Sequence, residues 1–491
     1  MNAIVILLIA LLTITAKPVY TAETPTSLKA LHVLNRLAFG PKPGDLDKVN
    51  AMGVEAYIQQ QLHPETIAEP PQLTAQLKNL QVLQMTPSQL YAEYAPHAKQ
   101  GEKPDRQAKR DSRKKAKTVM EKVQNARIMR AIESPRQLQE VMVDFWFNHF
   151  NIYALKGQGS VWTGAFEEQA IRPFALGRFR DLLGATAKHP AMLFYLDNFK
   201  NIAPGTGKTG KKKNGPQGIN ENYARELMEL HTLGVDGGYT QKDVTTLAHI
   251  LTGWTFKKNG KRPQEYGTFY FDAAHHDRSD KTFLGTAIRG GGQEEVEHVL
   301  DMLASHPKTA HYICYKLVQY FVSDTPDPQL VDSLAQVFMS SGGDIRAVLN
   351  SLFQSPQFWD MKNINSKFKT PYRLVISAMR ASGQTVENYR PLATAMAQLG
   401  MPLYGCLTPD GYKNTQEAWL DSNSMLARIT FATRLASGNL PINAKHPPLD
   451  AQELEKTLGD NFSPSTREAL KKNPQRLRAG LILGSPEFMR Y

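Results

Sequence analysis

The chain has 491 residues, 41% of them hydrophobic, and a formal net charge of +12. That length suits one large or two ordinary domains and a sizeable core, and excludes a disordered or fibrous class. Only two cysteines are present, Cys314 and Cys406, which excludes a disulfide-rich scaffold and a structural zinc site built from cysteines. The two could pair in an oxidising compartment or sit apart as buried thiols.

In chain order, Ile4 to Leu12 is an apolar run too short for a bilayer, which takes ~20 helical residues. It reads as the core of a secretory signal peptide spanning 1–22, with cleavage after Ala16 or Ala22. Although the segment before the run lacks Lys and Arg, the expectation is an exported protein, periplasmic or extracellular, with no transmembrane segment in its mature form.

Helical spacing follows at 24–38, closed by Phe39-Gly40-Pro41, and at 45–62. From His97 to Lys117, nine Lys/Arg stand against three Asp/Glu, a net +6 that is half of the whole excess. With no aromatics among them to stack on bases, these residues argue against nucleic acid and read as a solvated helix or mobile insertion. Attraction to an acidic polymer is the lesser possibility. Helices are expected at 120–133, 135–153, 162–177, 178–188 and 191–199. A Gly/Lys-rich loop covers 200–218 and contains Gly205-Thr-Gly-Lys-Thr209, which looks like a phosphate loop. The leading Gly of that motif is replaced by Ile202, and no helix-forming run follows, so nucleotide binding is rejected. Helices resume at 220–233 and 240–252. A small β-hairpin or extended flap is expected across 254–284. Further helices are expected at 293–304, 307–322, 328–340, 344–354, 370–382, 388–398, 414–436, 451–458 and 465–486. The fold class is therefore mainly α, with a family domain over 23–440 and a C-terminal helical extension over 441–491 packed on it.

Three segments carry chemistry. On a helical wheel at ~100° per residue, Glu221, Asn222, Arg225, Glu226 and Glu229 share one arc, and Tyr223, Leu227, Leu230 and His231 the other. The bland reading is an exposed i,i+4 charge ladder over a core face, with His231 a core histidine. The functional reading turns the charged face to a cleft, with Glu226 and Glu229 sharing a cation or substrate and Arg225 gripping an anion. Glu221 and Glu229 lie ~12 Å apart along the axis, too far to act on one atom. In the second segment, Asp144-Phe-Trp-Phe-Asn148-His149, aromatics crowd beside an amide and an imidazole, as core or as a site wall. In the third, 273–281, His276 and Asp277 could form a base and its orienter, with Lys281 close by; a turn with exposed histidines is the alternative. A divalent metal is possible but no motif indicates one. Neither HExxH nor HxH occurs, and the lone Glu295–His298 ExxH has no second copy.

Together these segments resemble a known family. Asn35-Arg-Leu-Ala-Phe-Gly40, Phe145-Trp-Phe-Asn-His-Phe150 and His189-Pro-Ala-Met-Leu193 come first. Asn220-Glu-Asn-Tyr-Ala-Arg-Glu-Leu227, His231-Thr-Leu-Gly234, Tyr239-Thr-Gln-Lys-Asp-Val244, Leu251-Thr-Gly-Trp254, His276-Asp277 and Lys281 follow in order. The chain is similar to the bacterial "domain of unknown function 1800" family from about residue 28 to 436. The resemblance implies an exported bacterial protein, often encoded beside a sulfatase- or phosphatase-like protein, and supplies no substrate, cofactor or catalytic residue. It adds weight to a shared site. Glu221, Glu226, His149, His276 and Asp277 are the acid/base candidates. Arg225, Asn148, Asn222, Trp254 and Lys281 are the binding candidates. The expected activity is a hydrolase or lyase on a polymer such as a glycan. The alternative is a non-catalytic binding or assembly partner of a co-secreted sulfatase-like protein.

Overall fold

The computed structural model describes residues 26–95, 106–207, 218–258, 265–444, 447–459 and 461–491. The expected signal peptide, residues 97–105 of the basic segment and residues 208–217 of the Gly/Lys loop lie outside them. Among the described residues the architecture is mainly α: twenty-three α-helices, with two small two-stranded antiparallel sheets. No described helix is long and apolar enough to cross a membrane. One contiguous hydrophobic core runs from Ala30 to Met489 and includes the fully buried Trp146, Trp162 and Trp254. Each buried Leu or Phe in it contributes roughly 1.5–3 kcal/mol, before the entropy of fixing its side chain is subtracted.

Helices 293–304, 328–340 and 451–458 fall where their periodicity places them. Elsewhere local chemistry resets the boundaries. Gly53, at φ +89°, splits the expected 45–62 helix into Asp45–Met52 and Val54–Leu62. Asn473-Pro474 divides 465–486 into Pro464–Lys472 and Gln475–Leu483. The 414–436 run holds a short 3-10 turn, Gln416–Ala418, and becomes an α-helix at Ser422, where the Asp421 carboxylate accepts from the amides of Asn423 and Ser424. The described part of the basic segment is helical and mostly exposed. It forms the first turns of one long helix, Arg106–Glu133, as its Lys, Arg and Ala content favours. Within the expected 162–177 helix, Gly159–Phe166 passes into a π-helical turn, Glu167–Ile171.

The expected hairpin is present: Trp254–Phe256 pairs antiparallel with Phe269–Phe271. A second hairpin, Lys281–Phe283 with Thr286–Ile288, turns through Leu284 and Gly285, both at positive φ. Near the chain's end Lys367 exchanges backbone hydrogen bonds with Tyr491, and the Lys369 amide donates to Met489. Helix Gln475–Leu483 packs on Ser422–Ala436. Cys314 and Cys406 are both buried free thiols, so the separate-thiol alternative holds.

Candidate functional site

The candidate residues divide among several local settings. Helix Asn222–Glu229 is amphipathic as expected, burying Tyr223, Ala224 and Leu227. Its outer face carries the ladder. Glu221 accepts from Thr245 Oγ1 at 2.7 Å and Gln241 Nε2 at 2.8 Å, and pairs with Arg225 at 3.3 Å. The Thr245 and Gln241 bonds, with Arg225, hold the Glu221 carboxyl below the usual range. Asn222 donates to the Leu196 carbonyl at 3.1 Å. Trp254 is fully buried with its Nε1 donating to Ala187 O at 2.8 Å, so its ring offers no open face to a ligand.

The 273–281 loop holds two pairings linked through Lys281, whose Nζ lies 4.0 Å from Asp277 Oδ1. His276 is buried between the Thr252 carbonyl, 2.8 Å from Nδ1, and Glu295, 3.2 Å from Nε2. Glu295 also pairs with Lys281 at 2.8 Å. Asp277 faces the other way: it meets His249 Nδ1 at 2.5 Å and accepts from Ser279, and these bonds hold it down at about 2 despite burial. His276 and Asp277 therefore do not form the expected base–orienter pair, because adjacent residues of this loop face different neighbours.

The aromatic helix Gln137–His149 does wall a cavity. With helix Pro307–Phe321, the Glu229–Leu230 corner and the loop Pro409–Thr415, it encloses a cleft of about 570 Å³. Helix Pro307–Phe321 presents Tyr312, Tyr315, Lys316, Gln319 and Tyr320 to it, one helical stripe. Asn148 fixes the loop: its amide donates to Tyr412 O at 2.8 Å, and its Oδ1 accepts from Tyr412 N at 2.8 Å. Gly411, at φ +73°, lets the loop approach this closely, since a Cβ there would lie 2.3 Å from Asn148 O.

Inside the cleft, Lys316 Nζ lies 3.0 Å from His149 Nδ1, and His149 Nε2 lies 3.1 Å from His231 O. Burial, with Lys316 beside it, pushes the His149 ring well below 6.5. The neutral ring then donates from Nε2 to the carbonyl and accepts at Nδ1 from the amine. Burial and the Lys413 cation lower Lys316 to about 8, against the pull of Asp410. Burial opposes ionisation of Asp410, but hydrogen bonds from Thr408 and Lys413 hold it below the usual carboxylate value. Beside the cleft, burial and the neighbouring Glu229 raise Glu226 to about 7, with Asp410 adding to the rise. His231 is buried, as its place on the apolar arc implies.

Below the cleft lies a buried ion network. Arg127 joins Asp144, at 2.6 Å, to Glu167, at 2.8 Å. Tyr404 donates to Glu167 at 2.9 Å, and Arg172 holds Glu140 at 2.6 Å. Arg130 pairs with Glu168. Among the described residues no group of three or more His, Cys, Asp or Glu side chains is placed to hold a metal ion.

Lys316, Tyr312, Asp410 and Lys413 are cleft residues that sequence reasoning missed. The signal available was the polar and aromatic stripe at 312, 315, 316, 319 and 320.

A mainly helical protein with an aromatic, charge-lined cleft at Phe145–His149 is the class defined here. The family described as "Protein of unknown function (DUF1800)" matches residues 32–490, and the chain belongs to it. Neither a curated protein nor a solved structure matches the chain.

Proposed function

We propose that the protein is an exported hydrolase or lyase acting on a polymer such as a glycan, with the 137–149/307–321/409–415 cleft as its active site. One observation carries the reading: the desolvated Lys316 amine, held by His149, faces a cavity of about 570 Å³, a volume suited to a small ligand or a few sugar units. Near neutral pH a lysine at about 8 exchanges a proton readily. As the free amine, Lys316 takes a proton from the substrate or from attacking water; as the ammonium, it returns one to the leaving group. Tyr312 and Tyr315 offer ring faces and hydroxyls to a sugar, and Lys413 offers charge to an anionic group. His149 acts here as the positioning residue, since both its nitrogens are engaged. Export is supported by the Ile4–Leu12 apolar run.

The alternative, a binding or assembly partner of a co-secreted sulfatase-like protein, draws support from the His276–Glu295–Lys281 cluster, whose side chains pair with one another and not with the cleft. The test is depolymerisation of neutral and acidic glycans, followed by reducing-end release and by the ultraviolet absorbance of unsaturated ends. Turnover by the native protein that Lys316→Met abolishes, with folding retained, supports the enzyme. Undiminished turnover by Lys316→Met would remove this cleft as the active site.

A further inference from the structure

Beside the cleft the surface carries a second recess. Two cavities of about 680 and 670 Å³ share Arg390 and Thr394, so they meet at helix Arg390–Gln398. Arg113 and Lys117 line the first and Arg434 lines the second. All four cations are exposed, and among the described residues none of them makes an ion pair. Among the described residues Glu121 is the one carboxylate in either lining.

We infer that this recess is a binding groove for an anionic polysaccharide. Unpaired, exposed guanidinium and ammonium groups along a concave surface focus positive potential onto it. Between them Asn125, Thr394 and Gln398 offer amides and a hydroxyl to sugar hydroxyls. Among the described residues neither lining contains Trp or Tyr, and the one aromatic, Phe431, is buried, so no exposed ring is offered for bases to stack on.

The groove also adjoins the candidate active site. Met401 lines the cleft, while the next two residues, Pro402 and Leu403, line the groove. The Tyr412 hydroxyl crosses the divide, donating to Pro402 O at 3.0 Å. A chain lying in the groove therefore reaches the cleft across one short segment. That link rests on the enzymatic reading above; binding in the groove does not.

The experiment is calorimetric titration of the full chain with polygalacturonate, and separately with uncharged dextran and a single-stranded oligonucleotide. Expected are polygalacturonate binding that weakens with salt, no comparable binding of dextran, and weaker binding of the oligonucleotide. The double variants Arg113→Ala/Lys117→Ala and Arg390→Ala/Arg434→Ala should each bind polygalacturonate roughly tenfold more weakly, the sum of several surface contacts. Lys471→Ala/Lys472→Ala, on an exposed helix end elsewhere, should bind as the native protein does. Unchanged affinity in both groove variants overturns the proposal. So does an equal loss in the Lys471/Lys472 control, or binding of the oligonucleotide as tight as that of polygalacturonate. Lys316→Met separates the two readings. The groove predicts unimpaired polymer binding by this variant, whatever becomes of turnover.

Discussion

The imidazole of His149 is held on both edges, by the Lys316 amine at 3.0 Å and by the His231 carbonyl at 3.1 Å. The ring therefore fixes where the amine sits and joins it to the segment that follows helix Asn222–Glu229.

The first prediction concerns that amine. Its folded value, about 8, lies below its unfolded value of 10.5, so the unfolded chain binds more protons between the two. Stability should therefore rise with pH across that interval, and the buried cation should destabilise the fold below it. Lys316→Met is expected to gain on the order of 1 kcal/mol at neutral pH. If Lys316 is the base, kcat/KM rises to a plateau through about pH 8 in the native protein. Thermal melts across pH check the first expectation, and a pH–rate profile the second.

Glu226 runs the opposite way. Its carboxyl is raised from 4.5 to about 7, so the folded chain holds the extra proton in that window and stability falls as pH rises through it. Glu226→Gln should flatten the fall and stabilise by roughly 1 kcal/mol above the window, after solvent screening. An unchanged pH dependence of the melting temperature in the variant would contradict the assignment.

For the His276–Glu295–Lys281 cluster we expect a structural effect. Glu295→Gln removes the carboxylate that faces Lys281 and the His276 ring and should cost about 3–5 kcal/mol by leaving the buried Lys281 cation without this partner. Chemical denaturation measures the loss. Once a substrate is known, turnover per folded molecule should be unaffected, and a specific fall in kcat would return the cluster to the active site.

Gly411→Ala tests how the cleft is closed. The added methyl meets Asn148 O, and the positive φ disfavours any side chain, so the Asn148–Tyr412 pairing should open. A loss of about 1–3 kcal/mol is expected, with weakened ligand binding in the cleft. Gly400→Ala is the control: Gly400 shares a positive φ but has only the Trp419 ring edge within reach, and it should leave binding intact.

These outcomes bear on how much the sequence discloses. The wall at Phe145–His149 is legible because aromatics crowd an amide and an imidazole within one helix. The second hairpin and Lys316 are not. Lys316 lies on an ordinary amphipathic helix, and its setting depends on a loop about a hundred residues further on, which local spacing does not encode. His276 and Asp277 mislead for a related reason. Their adjacency in sequence suggests cooperation, whereas the partner of His276 is Glu295, on the helix that follows.

The π-helical turn at Glu167–Ile171 has a genetic consequence. It admits one more residue per turn than an α-helix, and it sets Glu167 and Glu168 against Arg127 and Arg130. Deleting a single codon there would let the segment relax into regular α-helix. The wide turn absorbs the extra residue, so the flanking turns would keep their phase and the change would fall on the carboxylates within the turn, which would be carried off their arginines. Length at this point is therefore constrained together with the identity of Glu167, whose carboxylate Arg127, Arg172 and Tyr404 all engage, and selection should act against in-frame deletions and against substitutions of that residue alike.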